Sequence, residues 1–369
     1  MLVRDRLPAL GDPVAVLFAQ RSGLVLGEGV AVALAVGRAH ERGDDVEAPI
    51  LDLPRLAPQV GEPDVDVELE QIDTTRALDH DAIQARRGIG RNPREYAGRM
   101  GLIRFGPARV PSQESPEAAI EVLLERGYTA CEIDFEGKFW MDYDFAARLG
   151  ELARGHGIAL SVHAPIAGFM GHAERGKKLN MAVGMLDHSA GIAKASGAEV
   201  VVFHPGFLLG RTRDIALDSV CDQLGELRRR LLKKDRDVPF GIEVMGRVRE
   251  LGSVDDVVEI SARCGWVRPV LDFAHMHATS DGAFTSTEPF ADALVKADAV
   301  MPSHAPFHIH FSDIQFANRN ETKHLRYGEG TLRADPLHEA LACFDRPATV
   351  IGESPDEESN QAIKAVLGL

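Results

Sequence analysis

The sequence predicts an α/β fold, a (β/α)8 barrel preceded by a small β-rich domain, and three observations lead there. From about residue 101 onward, short apolar runs alternate with helix-like segments about eight times in roughly 270 residues, the rhythm and size of a parallel barrel. Six of those runs end in a metal-ligand residue type: His163 in LSVHAP, His204 in VVVFHPG, Glu243 in FGIEVMG, Asp272 in PVLDFAHMH, His310 in FHIHFSD and Glu353 in TVIGESP. Most have Pro or Gly close behind, which ends a strand. Strands of a parallel barrel all finish at one rim, so these side chains would converge although they are far apart in sequence.

Residues 1–85 differ from the rest. Residues 14–19 and 29–36 lean toward β structure, with Ser22-Gly23 as a turn between them, and residues 46–53 and 65–72 follow. Val65 to Glu70 alternates strictly, as a half-buried strand would. Pro54, Pro58, Gly61 and Pro63 mark the intervening loop. Two readings stay open, a structural or oligomerising appendage and a nucleic-acid-binding β-barrel. The acidity of the segment, and its lack of aromatics apart from Phe18, count against base stacking. Its partner is not legible. Residues 86–100, with the run RRGIGRNPREYAGR, form a basic connector, a solvated linker or a strap that touches phosphate.

Residues 101–369 supply the barrel. Strands are expected at 102–105, 131–135, 158–162, 200–203, 240–244, 270–273, 307–311 and 349–352. Helices are expected at 116–126, 144–156, 179–195, 216–232, 254–264, 289–297, 336–344 and 357–367. Ser115 before Pro116 is an N-cap followed by proline at the first helical position. Phe145, Leu149 and Leu152 fall at helical spacing in the second helix. A long loop is expected after the seventh strand.

Composition bounds the function. The chain has 369 residues, 45% hydrophobic and 26% charged, enough for a sizeable core and about two domains. No stretch is long and apolar enough to span a bilayer, and residues 30–36 are not placed as a signal peptide would be. Cys131, Cys221, Cys264 and Cys343 are scattered with no CxxC, so the expectation is a reducing cytoplasm and a metal held by His and carboxylates. The net charge of −15 argues against nonspecific coating of nucleic acid but leaves a metal-assisted nucleic-acid enzyme open.

The rim set holds more donors than one zinc uses, since zinc takes about four. His163, His204, Glu243, Asp272, His275, His310 and Glu353, with His324 folding back from the long loop, favour two or three ions sharing a carboxylate. Such clusters hydrolyse phosphate esters. His80, His156, His172, His188, His277, His304 and His338 lack that placement, and His308 shares a strand face with His310 by period two.

The ordered motifs SVHAP, VVFHPG, GIEVMG, VLDFAHMHA, HFSD, HLRYGEG and IGESP resemble the endonuclease IV (deoxyribonuclease IV) family of apurinic/apyrimidinic endonucleases, within the xylose-isomerase-like TIM barrels. The resemblance covers residues 101–369 and implies a hydrolase of ester bonds that cuts damaged double-stranded DNA 5′ to an abasic site in base excision repair. It implies three zinc ions, or at least two, with manganese as the other metal to consider. His163, His204 and Glu243 would hold the first; Glu243 would bridge to a second completed by Asp272, His310 and Glu353; His275 and His324 would hold the third. Glu243 and Glu353 would be the catalytic carboxylates. The family's third-site carboxylate falls two residues before the last histidine, where this sequence has Thr322. Glu321 is the substitute, and Asp313 a second candidate. Ile166 stands near the place where the family often has an aromatic for the abasic gap, and the loop of residues 167–178 is longer than expected. Arg104, Arg109, Lys177, Lys178, Arg211 and Arg213 are candidate DNA-backbone contacts. The alternative is a single-metal sugar isomerase or epimerase of the same superfamily, which resembles this chain at Glu243, Asp272, His310 and Glu353. A barrel kept only as a binding scaffold is the third reading.

Overall fold

The computed structural model describes residues 103–369; the β-rich module expected at residues 1–85 and the connector at residues 86–100 lie outside the described residues. Strand β1 (Ile103–Pro107) leads to helix α1 (Pro116–Glu125), then β2 (Ala130–Asp134) to α2 (Tyr143–Gly155), and β3 (Ala159–His163) to α3 (Lys177–Ser196). Next come β4 (Val201–Phe203), α4 (Arg213–Lys233), β5 (Phe240–Glu243), α5 (Val254–Cys264) and β6 (Val267–Asp272). A short helix α6 (Phe273–Thr279) follows β6 directly, before α7 (Thr287–Asp298) and β7 (Phe307–Phe311). The antiparallel hairpin β8 (Asp313–Ala317) and β9 (Asn320–Leu325) then intervenes before α8 (Asp335–Leu341), β10 (Ala348–Gly352) and α9 (Glu357–Val366).

Eight strands form one parallel sheet in the order β1-β10-β7-β6-β5-β4-β3-β2. The sheet curls until its two ends meet. The Thr129 amide donates to the Phe105 carbonyl at 2.9 Å and the Phe105 amide donates to Thr129 Oγ1 at 3.1 Å. Gly106 permits that seam, because a Cβ there would lie 1.6 Å from the Ala130 carbonyl oxygen. The result is a (β/α)8 barrel.

The helices start where the sequence supplies caps. Ser115 accepts from the Ala118 amide, Asp142 from Phe145, and Ser253 with Asp256 forms a reciprocal capping box. Their apolar faces, such as Ala119, Ile120 and Leu123 of α1, pack on the outside of the strands in one large cluster. The barrel interior is separate and small. Ala130, Ala159 and Ile351 form one inner cluster and Val200, Val202 and Val270 another. Beside Val202 and Ile351 in the same register stand polar residues, His163 opposite Val202 and His310 opposite Ile351.

Two expectations need correction. The loop after the seventh strand is a hairpin, turned by Asn318 and Arg319 with φ of 52° and 61°, the paired left-handed geometry of a two-residue hairpin loop. It escapes sequence reading because Asn-Arg lacks the glycine that usually marks such a turn. Helix α6 also went unseen, since PVLDFAHMH reads as strand and then loop.

Candidate metal centre

The rim is built by register. Asp272 on β6 lies opposite His310 on β7, and Asp134 on β2 opposite His163 on β3. His163 and His310 fall on the last inward positions of their strands, as do Glu243 and Asp272. His204 follows β4 by one residue and Glu353 follows β10 by one. Side chains spread over 190 residues of chain therefore face one another at the mouth, the arrangement that parallel strands impose.

Glu243 is the hub. Its Oε2 lies 3.1 Å from His163 Nε2 and 3.1 Å from His204 Nε2, and its Oε1 lies 3.4 Å from His275 Nδ1 and 3.4 Å from His310 Nδ1. His310 Nδ1 is also 3.2 Å from Glu353 Oε1. Burial would raise the Glu243 pKa, but His310, His204 and His163 outweigh it and hold the carboxyl well below the usual range. His163 answers in kind: burial works against its charge, yet Glu243 and Glu132 raise it to about 10.

Several donors are already oriented. His163 Nδ1 donates to the Ala164 carbonyl at 2.9 Å and His275 Nδ1 donates to the Val244 carbonyl at 2.8 Å. A carbonyl can only accept, so in the neutral ring Nε2 is the nitrogen that faces the cluster with a lone pair, the usual state of a ligating imidazole; a cation there would take the place of the Nε2 proton that the neighbouring carboxylates otherwise favour. Asp272 Oδ1 caps α6 through the His275 amide at 2.7 Å, while its buried Oδ2 makes no hydrogen bond among the described residues and has only His275 Nδ1, itself turned to the Val244 carbonyl, at 3.2 Å. A buried carboxylate oxygen left without a donor fits a cation.

Glu321 reaches the site despite its position in sequence. Residues i and i+3 of a regular strand face opposite ways. In the hairpin Gln315 pairs with Lys323 and Phe316 with Glu321, so Thr322 is an extra, bulged residue, held by its hydroxyl donating to the Gln315 carbonyl at 2.9 Å. One bulge shifts the alternation by one, and Glu321 and His324 return to the same face. Glu321 Oε2 lies 2.8 Å from His275 Nε2, and Arg247 braces Glu321 Oε1 at 3.0 Å. Asp313, the second candidate, is spent elsewhere: it accepts from the amides of Ile314, Gly328, Gly330 and Leu332 and from Arg333.

Five overlapping triads have donor atoms within 4.8 Å of one another: His163–His204–Glu243, Glu243–Asp272–His275, Asp272–His310–Glu353, His275–Glu321–His324 and Glu132–His163–His310. The first four contain all nine residues singled out from the sequence. Glu132 carries no signal in the sequence, because it lies in the middle of β2, one step below the rim, and only strand ends are marked by a following Pro or Gly.

The cationic candidates divide. Arg104 is a correction: it lies near the start of β1, opposite Thr349, and pairs with Glu199 through both guanidinium nitrogens at 2.7 and 2.8 Å, at the far end of the barrel. Arg211 is another, with its guanidinium used on the carbonyls of Leu208, Gly171 and Phe207 and on Ser219, which ties the loop after β4. Arg213 pairs with Asp256 and Glu259. Arg109, beside Asp134 at the rim, and Lys177 and Lys178 at the mouth end of α3 are exposed. Ile166 lies in a one-turn 3-10 helix after β3 and is also exposed. His277 is a core histidine, accepting from the Phe284 amide and bonded to Thr331.

Comparison with known proteins agrees with the fold. An uncharacterized protein of Methanocaldococcus jannaschii is 28% identical over 257 residues, 69% of this chain and 92% of that one. A protein of Latilactobacillus sakei named probable endonuclease 4 is 24% identical over 186 residues, 48% of this chain and 59% of its own length. The crystal structure of a D-tagatose 3-epimerase-like protein superposes with a TM-score of 0.57 at 21% identity, covering 72% of this chain and 96% of that one, a likeness of fold. The family model described as xylose isomerase-like TIM barrel matches residues 120–367, and this chain belongs to that family.

Proposed function

We propose that the protein is a zinc-dependent endonuclease that hydrolyses the DNA phosphodiester 5′ to an abasic site. One observation carries the reading: the donors at the rim suffice for more than one ion, with Glu243 common to two of the triads. A single-metal sugar isomerase uses only the subset Glu243, Asp272, His310 and Glu353. It has no need of the His163–His204 pair or of His275, Glu321 and His324. The ordered motifs and the endonuclease 4 relative support the same side.

His163, His204 and Glu243 would hold one ion, Glu243, Asp272, His310 and Glu353 a second, and His275, Glu321 and His324 a third. Bound zinc supplies a lowered pKa for water and neutralises charge on the phosphate. The chain does the rest. Glu243 and Glu353, on either side of His310, orient the attacking water. Arg109, Lys177 and Lys178 meet the DNA backbone, and exposed Ile166 enters the gap where the base is missing. Water adds to phosphorus and the bond to the 3′ oxygen breaks, giving a 3′-hydroxyl and a 5′ deoxyribose phosphate. Extruding an abasic sugar is cheap because no base pair is lost.

Purified protein loaded with zinc is incubated with a duplex containing one abasic site. Cleavage 5′ to the lesion is the expected result; an intact duplex beside a control enzyme that cuts refutes it. Elemental analysis separates the alternative, a sugar epimerase, for which the fold likeness and the four-residue subset speak. Two or three zincs per chain favour the nuclease, and about one ion, manganese or magnesium included, favours the epimerase.

A further inference from the structure

Among the described residues, Glu132 is a fully buried acidic side chain of the barrel interior that neither reading uses. It is 1% exposed, at the centre of β2, and a carboxylate so buried costs several kcal/mol unless donors surround it. They do. Ser161 Oγ, directly across the ladder on β3, donates to Oε2 at 2.7 Å. His308 Nε2 bonds the same oxygen at 3.1 Å, and His310 Nε2 lies 3.2 Å from Oε1, in ion-pair contact but off the line of a hydrogen bond. His308 and His310 share a face of β7, so the strand presents two imidazoles to one carboxylate.

His310 thus stands between two acidic environments. Its Nδ1 faces Glu243 and Glu353 at the mouth, and its Nε2 faces Glu132 below. Only one nitrogen of a neutral imidazole has a free lone pair. If Glu132 takes the Nε2 proton as a hydrogen bond, Nδ1 is the nitrogen left for a cation, and the ring is fixed in the orientation that aims it there. We propose that Glu132 is a positioning residue that sets the tautomer and orientation of His310 and thereby strengthens metal binding at the Asp272–His310–Glu353 group. The proposal rests on His310 being a metal ligand, and holds for either a nuclease or an epimerase. A ligand role for Glu132 itself is disfavoured, because Ser161 and His308 already occupy Oε2 and the group lies one layer under the rim.

The test uses the full chain, zinc alone and the variant Glu132→Gln. The amide keeps the size but not the charge, so the metal-free variant should fold, with any change in melting point read separately from zinc affinity. Zinc affinity, read by competition with a chelator, should fall 10- to 100-fold at one site, with the number of ions bound at saturation unchanged. Nitrogen-15 spectra of labelled histidine should show His310 protonated at Nε2 in the zinc-loaded protein and a mixture in the variant. Unchanged affinity with an unchanged His310 signal overturns the proposal, as does a lower melting point with full affinity in the folded protein. Loss of one whole equivalent at saturation also overturns it, because that marks Glu132 as a ligand. If the unsubstituted protein takes up no zinc at His310, the metal reading fails and this proposal with it, an outcome distinct from failure of the variant alone.

Discussion

Gly246→Ala tests the third group most sharply, because the structure leaves no room there. Gly246 lies in the loop after β5, and its carbonyl accepts from the Glu321 amide at 2.8 Å. A Cβ on it would come within 2.6 Å of Glu321 Cγ, 2.8 Å of Glu321 Oε2 and 2.7 Å of His275 Cδ2. Gly246 is not among the residues with positive φ, so alanine suits the backbone and the effect is steric alone. Both neighbours would have to retreat by roughly 1 Å to reach ordinary contact, and overpacking of this kind costs about 1–3 kcal/mol. These neighbours are two of the three donors of the His275–Glu321–His324 group. The strain therefore falls on the arrangement that would bind an ion in the proposed function, and affinity there should drop about 5- to 150-fold. Chelator competition, counting equivalents one by one, measures it. The His163–His204–Glu243 group should change less, since the atoms nearest a Cβ at Gly246 belong to Glu321 and His275. A third equivalent bound as tightly as before would refute the argument and take Glu321 out of the site.

Deleting Thr322 should leave zinc stoichiometry unchanged, because removing the bulged residue places Glu321 and His324 two apart in a regular strand, still on one face; loss of the third equivalent would show that the bulge does more than restore alternation. In the DNA reading, Lys177→Ala with Lys178→Ala should reduce the salt dependence of duplex binding by about two units of slope, while Arg104→Ala leaves it unaltered; an equal effect of Arg104→Ala would contradict its place at the far end of the barrel. Buried Asp187 on α3 faces Arg230, Lys234 and Arg236. Burial raises its pKa, but those three cations outweigh it and depress the group. The stability it adds is present above its unfolded value and lost as pH falls through the folded one. Asp187→Asn should thus cost about 1.5–3 kcal/mol at pH 7, with the gap in melting temperature closing below about pH 4; a gap that widens in acid would reverse the sign.

What could be read from the chain follows from how parallel barrels are made. Every strand ends at the same rim, so the donor at a strand's last residue, or one beyond it, is located by finding the strand, and apolar runs closed by Pro or Gly are easy to find. His163, His204, Glu243, Asp272, His310 and Glu353 are all of this kind. Residues whose placement depends on side-chain reach were not legible in the same way. Arg104 looked like a rim cation, yet it is only the second residue of β1, and its long side chain turns to Glu199 at the opposite end. Arg211 looked free, but four acceptors hold it. Glu132 was hidden by the opposite fault: it lies inside a strand, where a lone acid among Cys131 and Ile133 reads as outward-facing until its register with Ser161 is known.

The third group shows why spacing alone misleads. A motif with a carboxylate two residues before a histidine works on a strand because period two puts both on one face. In this chain the interval is three, and on a regular strand Glu321 would turn away from His324. The hairpin absorbs the added residue at Thr322, where two residues of β9 face one step of β8, and the side chains realign. Gly246 then leaves space for the carboxylate beside His275, Arg247 holds its outer oxygen, and the Gly246 carbonyl pins its amide. Three separate contacts from the β5 loop thus converge on a residue that the motif would have discarded. That much support for one side chain argues that a bulge can bring donors together where their linear spacing would separate them, and that the geometry of donors, rather than their interval, is the quantity to compare between barrels of this family.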